Sequence, residues 1–156
     1  MDRQGTIRFY YFWGMKYIIP ISLVELEAEN YHITVVSIFK NGTEGLWVID
    51  TGASKTVFNQ SLIELYEPVE MDEHTQIHSA GIGVGHLETS LGKLMPFMIG
   101  TFSVEPVQVA LIDLLHINKL YSHATKKEIC GLIGSDFLIE RKAKIDYEKL
   151  ELVLER

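Results

Sequence analysis

The amino-acid sequence predicts an all-β domain that contains one or two short helices. Segment 32–39 is rich in β-branched residues, which favour extended strands. The pair Asn41-Gly42 follows that segment and is typical of a tight turn between two antiparallel strands. Near the C-terminus, leucines alternate with other residues through segment 150–155, which places them on one face of a strand. These three observations predict a sheet built largely from hairpins.

The other elements follow from the same kinds of pattern. Segment 67–73 is acidic and contains a proline, so it is predicted to be a connection. Segment 113–122 carries apolar residues on one side and is predicted to form a helix. The remaining predicted elements are, in chain order, a strand leading into residue 50, a mixed strand and short helix at 56–66, hairpin arms at 75–80 and 87–98, a strand at 107–112, and a final hairpin formed by 143–147 and 150–155.

Length and composition limit the class of protein. At 156 residues the chain is long enough for one hydrophobic core and too short for two. Its 47% hydrophobic and 22% charged residues are typical of a globular protein, and no stretch approaches the roughly 20 apolar residues that span a membrane. The formal net charge of −7 argues against nucleic acid as the main partner. We therefore expect neither a membrane nor a nucleic-acid partner.

Cysteine content and the N-terminal sequence bear on location. Cys130 is the only cysteine, so no internal disulfide can form, which suits a reducing compartment. Lys16 and Pro20 interrupt the apolar N-terminal stretch, and no small-residue cleavage site follows it, so we expect no signal peptide. The sequence therefore predicts a cytoplasmic protein with one domain at 15–156, preceded by an N-terminal extension of uncertain status at 1–14.

The most informative stretch is the one in which an apolar strand runs directly into Asp50-Thr51-Gly52. Residues 46–49 are all apolar, which suggests that both faces of the strand are buried. Gly52 permits a tight bend that brings backbone N–H groups close to the Asp50 carboxylate. The Thr51 hydroxyl can donate or accept a hydrogen bond across an interface. Asp50 is therefore a candidate catalytic group, and the alternative is a simple turn in which the acid bonds its own backbone.

Segment 131–138 repeats this arrangement later in the chain. An apolar pair leads into Gly134, as an apolar strand leads into Asp50. Ser135 or Asp136 is a credible N-cap for a short helix that continues through residue 141. We interpret Asp136 as a solvent-facing cap that can pair with a nearby basic residue and needs no function.

With both segments identified, the chain resembles the retropepsin-like aspartic proteases, and most closely the single-domain cellular proteins of bacteria. That family has an apolar strand entering Asp-Thr-Gly-Ala/Ser, a glycine-tipped flap hairpin, and a later apolar pair followed by glycine before a helix. Here these parts are residues 50–54, 79–85 and 132–134, and the similarity extends over residues 17–155. The resemblance implies a closed β-barrel of the kind that forms half of an acid protease, with a glycine flap, acting as a homodimer.

The resemblance also implies a role for each matching residue. Asp50 would be catalytic, and Thr51 and Gly52 would support the active-site loop. Neither a metal ion nor a cofactor is implied. The residues implied to contact an extended peptide substrate are Ala53, Ser54, Gly81, Ile82, Gly83, Val84, Leu132, Ile133 and Gly134.

The number of carboxylates favours a homodimer. Peptide hydrolysis of this kind needs two, one to accept a proton from water and one to polarise the scissile carbonyl. The chain contains a single Asp-Thr-Gly. A symmetric pair of chains would place two Asp50 carboxylates face to face, where like charges would share one proton. We therefore predict a homodimeric aspartic endopeptidase that acts on peptide or protein substrates.

Two other functions stay open at this point. One is a non-proteolytic domain on the same fold that binds extended peptides, and the other is a small structural all-β domain in which Asp50 is only a turn residue. Metal binding by His74 and His78 is disfavoured, because on a strand they would lie about 13 Å apart. The glycines of segment 81–85 lack the Gly-Lys-Ser/Thr of a phosphate loop.

Overall fold

The computed structural model describes residues 14–70 and 90–156, and within these ranges the chain folds mostly into β-strands. This confirms the predicted all-β fold class with short helices. No helix in the described ranges is long and apolar enough to cross a membrane. The strands are β1 (Lys16–Pro20), β2 (Ser22–Glu27), β3 (Asn30–Phe39), β4 (Glu44–Ile49), β5 (Val57–Asn59), β6 (Tyr66–Val69), β7 (Ser90–Leu94), β8 (Phe97–Ile99), β9 (Phe102–Val104), β10 (Gln108–Ile112), β11 (Gly131–Ile133), β12 (Lys144–Asp146) and β13 (Glu151–Glu155). The helices are a 3-10 turn (Ile63–Leu65), α1 (Leu115–Thr125) and α2 (Ser135–Glu140).

Ten of these strands form one curled sheet. Nine follow the order β6-β7-β10-β5-β11-β4-β3-β8-β9. β2 pairs with residues 30–34 of β3, and β8 pairs with residues 37–39 of the same strand. β4 runs parallel to β11, and β5 runs parallel to β10. The sheet curls into a half-barrel, so Leu94 and Val104, from strands near its two ends, are buried in the same core. Strand β4, which leads into residue 50, lies near the middle of this sheet.

The hairpin of β3 and β4 closes with the predicted Asn-Gly turn. The Gly42 N–H donates to the Phe39 carbonyl at 2.8 Å, and the Phe39 N–H donates to the Thr43 carbonyl at 2.8 Å. Gly42 has a φ of +88°, a backbone conformation that other residues rarely adopt. The Asn41 side chain accepts a 3.0 Å hydrogen bond from the Thr43 N–H. The turn residues therefore fix the register of the strand that delivers Asp50.

Aromatic side chains fill the main core inside the half-barrel. Trp47, Phe39 and Phe58 are fully buried there, and the ring centroids of Trp47 and Phe58 lie 5.4 Å apart. The indole N–H of Trp47 donates a 2.8 Å hydrogen bond to the buried Oγ of Ser37, so the ring leaves no polar atom unpaired. This packing anchors β4 on one face.

Helix α1 forms a second layer on the other face of β4. Val48 is buried in an apolar cluster with Leu114, Tyr121 and Ile129, which come from α1 and its flanking segments. Trp47 points into the main core while its neighbour Val48 lies under α1. The prediction that β4 is buried on both faces is therefore confirmed.

The strands at the two ends of the described chain form a separate sheet in the order β1-β13-β12. Leu152 and Leu154 on β13 are fully buried, which confirms the predicted final hairpin. The prediction was wrong for Leu150, which precedes β13, has a φ of +53° and is 36% exposed. The Arg156 N–H donates to the Met15 carbonyl at 3.2 Å. The antiparallel pairing of β1 with β13 thus brings residues 15 and 156 together.

Strands β6 and β7 pair in antiparallel fashion, and residues 71–89 between them lie outside the described ranges. The connection predicted at 67–73 was wrong for residues 67–69, which belong to β6. Pro68 is tolerated there because β6 lies at the edge of the sheet that the described strands form. The arm predicted at 87–98 was wrong in its extent, because β7 ends at Leu94 and a separate strand, β8, begins at Phe97.

Several predictions fall on residues 71–89. They concern the hairpin arm at 75–80, the histidine pair and the glycine flap. The residues involved are His74, His78, Gly81, Ile82, Gly83 and Val84, all outside the described ranges.

Candidate active site

Asp50 lies at the point where β4 leaves the middle of the sheet. The last residue of β4, Ile49, lies opposite Ile33 of β3 on one side and Ile133 of β11 on the other. The Asp50 N–H extends this ladder by donating to the Ile133 carbonyl at 3.0 Å. The Asp50 residue is half-buried. The backbone of the candidate catalytic residue is therefore held by the hydrogen bonds that order the sheet.

The loop that follows Asp50 orients its carboxylate. Oδ1 of Asp50 accepts a 2.9 Å hydrogen bond from the Gly52 N–H, and the Asp50 carbonyl accepts one of 3.2 Å from the Ala53 N–H. A Cβ atom at residue 52 would lie 3.2 Å from that Oδ1, so glycine keeps the approach open. Among the described residues Oδ2 accepts no hydrogen bond, which leaves it available to a ligand or a second carboxylate. The catalytic and the simple-turn interpretations both predict the Gly52 bond.

The Asp50 loop is fastened to the start of α2. The Ser135 N–H donates to the Ala53 carbonyl at 2.8 Å, and Ser135 Oγ donates to the Thr51 carbonyl at 2.9 Å. Thr51 and Gly52, the predicted support residues, are exposed at the loop tip. The fold thus brings together the two segments that the sequence singled out.

Asp136 ties the far end of the same loop to α2. Its Oδ1 accepts 2.8 Å hydrogen bonds from the Thr56 N–H, the Thr56 hydroxyl and the Phe137 N–H. The Thr56 hydroxyl also accepts a 3.1 Å hydrogen bond from the Gly134 N–H. Thr56 is only 5% exposed, so water competes little for these bonds. Together they form a network that connects the two loops.

The interpretation of Asp136 as a solvent-facing cap was therefore wrong. The N-cap of α2 is Gly134, and no side chain caps the helix there. Arg141 pairs with Glu140, at 2.6 Å. The carboxylate of Asp136 turns toward Thr56 because the N–H and hydroxyl of that buried residue, together with the Phe137 N–H, supply three donors there.

The hydrogen-bonding roles of Thr56, Ser135 and Asp136 were not predicted from the sequence. Thr56 and Asp136 are 80 positions apart, and Thr51 and Ser135 are 84 apart, so no local pattern links them. The sequence offered two weak signals. Thr56, a residue with a hydroxyl group, ends the Asp50 loop, and Asp136, an acid, lies two residues after Gly134.

Gly134 allows the two loops to approach closely. A Cβ atom at this position would lie 2.5 Å from the Lys55 carbonyl carbon and 2.8 Å from the Thr56 nitrogen. Real Cβ atoms essentially never approach backbone atoms so closely, so a larger residue would push the loops apart. This is a structural reason for the glycine, and its predicted contact with substrate stays a prediction.

The other residues predicted to contact substrate lie in varied surroundings. Ala53 is half-buried and Ser54 is exposed, both on the Asp50 loop. Ile133 is buried in the main core, and Leu132 packs against the α1 cluster. Their contact with a peptide stays a prediction, as it does for the four flap residues outside the described ranges.

A shallow depression of about 320 Å³ lies beside the Asp50 loop. It is bordered by the loop tip, α2 and β12. Ile139 of α2 is 76% exposed, the highest exposure among the large apolar side chains of the described residues. The residues that line the depression include Thr51, Ser135, Leu138, Ile139 and Ile145.

Two other titratable groups are buried away from the Asp50 loop. Burial raises the pKa of Tyr121 from 10.0 to about 12, and its hydroxyl shares a 2.5 Å hydrogen bond with Nδ1 of His32. Burial also raises the pKa of the Cys130 thiol, which is therefore protonated and poorly nucleophilic. Within residues 14–70 and 90–156, no group of three or more His, Cys, Asp or Glu residues could hold a metal ion.

The chain is similar to two solved structures. One is a retropepsin-like aspartic protease from Rickettsia conorii, which is 16% identical, with 90% of each chain covered and a TM-score of 0.49. The other is the retroviral protease-like domain of Ddi1 from Leishmania major, which is 16% identical, with 78% of this chain and 86% of that chain covered and a TM-score of 0.48. A search of curated proteins found no match.

A family model described as aspartyl protease matches residues 34–137, about two thirds of the chain. The matched range begins in β3 and ends in α2, so it contains the whole Asp50 loop and the residues of the second loop that bond it. This match confirms the resemblance predicted from the Asp-Thr-Gly stretch and the later apolar pair with glycine. The chain belongs to the aspartyl protease family.

Proposed function

We propose that this protein is an aspartic endopeptidase that works as a homodimer, with Asp50 of each chain forming the catalytic pair. The observation that carries the proposal is the Asp50 loop. Asp50 directly follows strand β4. Its Oδ1 accepts a 2.9 Å hydrogen bond from the Gly52 N–H, and its Oδ2 accepts none from the described residues. The single Asp-Thr-Gly of the chain then requires a second copy to complete the pair.

The proposed chemistry follows from two carboxylates that share one proton. The ionised carboxylate accepts a proton from a water molecule, whose oxygen attacks the carbonyl carbon of the scissile peptide bond. The protonated carboxyl gives its proton to the carbonyl oxygen, so that a neutral diol forms. When the C–N bond breaks, one carboxyl gives its proton to the leaving nitrogen and the other carboxylate accepts a proton from a diol hydroxyl, so the pair again holds a single proton. These proton transfers require no metal ion or cofactor.

The proposed substrate is an extended stretch of peptide or protein. An extended chain can pair its backbone with strand-like segments around a cleft while its side chains enter pockets. Ala53 and Ser54 support this arrangement because they follow Asp50 closely on the same loop. The flap predicted at residues 81–84 would close over the peptide.

We expect the protein to work in a reducing compartment such as the cytoplasm of a bacterial cell. The single cysteine, Cys130, is a free and buried thiol, which supports that expectation. Because that thiol is buried, reagents that block cysteine should not inhibit peptide hydrolysis, and chelators should not inhibit it either.

The test of this function is to mix wild-type protein with an Asp50→Asn chain and measure hydrolysis of an unstructured peptide. Asparagine keeps the shape of the side chain and removes the titrating acid, so a mixed dimer should be inactive. With about a four-fold excess of the variant chain, random exchange should reduce activity per wild-type chain to about one fifth. Unchanged activity, in a sample shown to have exchanged chains, would contradict the shared site.

Asp113→Asn is the matched control for this experiment. Asp113 also follows a strand, β10, and its Oδ1 accepts a 2.8 Å hydrogen bond from the N–H two residues later, in Leu115. The substitution makes the same chemical change in the same kind of turn, away from the Asp50 loop. Mixing in this chain should leave the activity per chain unchanged.

A further inference from the structure

A cleft of about 550 Å³ lies at the opposite end of the sheet from the Asp50 loop. Strand β11 is parallel to β4 and antiparallel to β5, so β5 ends, at Asn59, on the side away from Asp50. Asn59 lines the cleft together with Asp113 after β10, part of α1, and Glu128 before β11. We propose that this cleft binds a small organic dication that also carries a carbonyl oxygen. Its two ammonium groups pair with Asp113 and Glu128, and its carbonyl accepts a hydrogen bond from Asn59. The inference does not depend on the proposed function.

Hydrogen bonds hold the walls of the cleft in place. The Asn59 N–H donates to the Cys130 carbonyl at 2.8 Å, which ties the end of β5 to the segment before β11. Asn118 of α1, which is 4% exposed and also lines the cleft, bonds the backbone of Ile129. Its amide donates to the Ile129 carbonyl at 3.1 Å and accepts from the Ile129 N–H at 2.8 Å. These bonds fix the backbone next to Glu128, so the cleft is formed before a ligand arrives.

The side chain of Asn59 supplies a hydrogen-bond donor at the bottom of the cleft. Asn59 is 6% exposed, and its Oδ1 accepts hydrogen bonds from the Ser61 N–H at 3.2 Å and from the Ser61 hydroxyl at 3.0 Å. Its Nδ2 donates to none of the described residues. Within the described ranges no fully buried polar side-chain atom lacks a partner, so this Nδ2 is open to the cleft that Asn59 lines. An open donor at the bottom of a cleft favours a ligand with a carbonyl oxygen.

The charge of the cleft favours a cation. Among the described residues that line it, Asp113 and Glu128 are acids and none is basic. Oδ1 of Asp113 accepts a 2.8 Å hydrogen bond from the Leu115 N–H, and its Oδ2 accepts none from the described residues. The carboxylate of Glu128 pairs with no cationic side chain in the described part of the chain. Two open carboxylates therefore match two ammonium groups on one ligand.

The size of the cleft favours an organic ligand over a metal ion. Pockets for small organic molecules usually measure roughly 300–1,000 Å³, and this cleft of about 550 Å³ lies in that range. A calcium ion takes roughly six to eight oxygen ligands. Residues 14–70 and 90–156 contain no group of three or more His, Cys, Asp or Glu residues that could hold an ion. Lysinamide carries the required groups, because it has two amino groups and a carboxamide on one short chain.

The test is calorimetric titration of the full chain with lysinamide at about pH 6, where both amino groups of the ligand carry charge. The dissociation constant should be on the order of 1 mM, as expected for so small a ligand. Two comparison ligands each lack one group: norleucinamide lacks the terminal ammonium, and 1,5-diaminopentane lacks the carboxamide. Each should bind about five-fold more weakly than lysinamide. Absence of saturable binding, or equal affinity for all three ligands, would overturn the proposal.

Two variants assign these contacts to residues. Glu128→Gln removes one carboxylate at an exposed position and should weaken lysinamide binding by about five-fold. Glu105→Gln is its matched control, because Glu105 is also exposed and is not among the residues that line the cleft, so binding should stay at the wild-type value. Asn59→Asp keeps the oxygen that accepts from Ser61 and removes the amide donor. Its preference for lysinamide over 1,5-diaminopentane should therefore disappear, and wild-type preferences in both variants would contradict the site.

The same chemistry occurs in a free amide of a basic amino acid and at the start of a peptide whose first residue is lysine. A short peptide that begins with lysine distinguishes these two sources. Affinity equal to that of lysinamide supports a peptide as the ligand, because the cleft then leaves room for the rest of the chain. Weaker binding supports the free small molecule.

A second measurement covers the case in which Asn59→Asp does not fold, since Asn59 is buried. In the NMR spectrum of the wild-type protein, the side-chain amide resonances of Asn59 should shift as lysinamide is added. The side-chain amide of Asn41, exposed in the turn between β3 and β4, should not shift. Unchanged Asn59 resonances at saturating lysinamide would overturn the proposed site.

Discussion

Asp50 follows β4 and Asp136 lies at the start of α2, and the two carboxylates differ in how many hydrogen-bond donors surround them. Oδ1 of Asp136 accepts three hydrogen bonds, two of them from the buried residue Thr56. Oδ1 of Asp50 accepts one, from the Gly52 N–H, and among the described residues its other oxygen accepts none. Three donors on one oxygen hold Asp136 between α2 and the Asp50 loop, whereas Asp50 has a single donor and lies beside an exposed loop tip. We therefore expect Asp136 to support the fold, while the proposed chemistry belongs to Asp50.

The largest effect should come from Asp50→Asn measured for both activity and stability. Peptide hydrolysis should fall by about 10³-fold or more, since the acid that transfers protons is gone. The free energy of unfolding should change by less than about 0.5 kcal/mol, because the amide oxygen still accepts the Gly52 bond. Denaturant unfolding and a peptide-cleavage assay on the same sample give both values. A large loss of stability would mean that Asp50 is a structural residue like Asp136.

The reverse pattern is expected for Asp136→Ala. Removal of the carboxylate leaves the buried N–H of Thr56 without its acceptor, so the free energy of unfolding should fall by about 2 kcal/mol. Hydrolysis should survive in the fraction that stays folded, because Asp50 is intact. Asp136→Asn is the control, since its amide oxygen can still accept from Thr56, and it should recover most of the lost stability. If both variants are as stable as wild type, the network contributes nothing measurable.

The smallest effect concerns a polar pair away from both loops, Tyr121 with His32. Tyr121→Phe should lower the free energy of unfolding by about 1 kcal/mol at neutral pH, through loss of the hydrogen bond to His32. The folded protein raises the pKa of Tyr121 from 10.0 to about 12, so it holds the phenol proton more tightly than the unfolded chain does. This contribution is complete below pH 10 and is lost as the pH rises from 10 toward 12.

The measurement is the difference in unfolding free energy between wild type and Tyr121→Phe as a function of pH. The wild-type advantage should be constant between pH 8 and pH 9 and should shrink above pH 10. The difference between the two proteins removes every contribution that they share. An advantage that stays constant through pH 11 would contradict burial of the phenol.

The parts of the site that could be predicted from sequence are those set by residues close together in the chain. Four apolar residues before Asp50 predicted a strand buried on both faces, and Gly52 predicted the bend that brings an N–H group to the carboxylate. The Asn-Gly pair predicted the turn that sets the register of β4. Each of these features depends on the backbone preferences or burial of a few consecutive residues.

The parts that could not be predicted depend on pairings between distant segments. Pro68 and the acidic residues around it suggested a connection, and only the position of β6 at the sheet edge makes a strand possible there. The pairing of β1 with β13 joins opposite ends of the described chain, and neither sequence specifies the other. Asp136 looked like a helix cap because its partner, Thr56, is 80 residues away.

That distance also has a consequence for how the protein is made. The loop after β4 depends on Ile133, Ser135 and Asp136 for the hydrogen bonds that shape it. During synthesis, a nascent chain that ends before residue 133 carries the Asp50 carboxylate but has none of these partners. Closing a loop of some 80 residues is also slow compared with forming a local hairpin. Translation order thus delays assembly of the Asp50 loop until the sheet that supports it is almost complete.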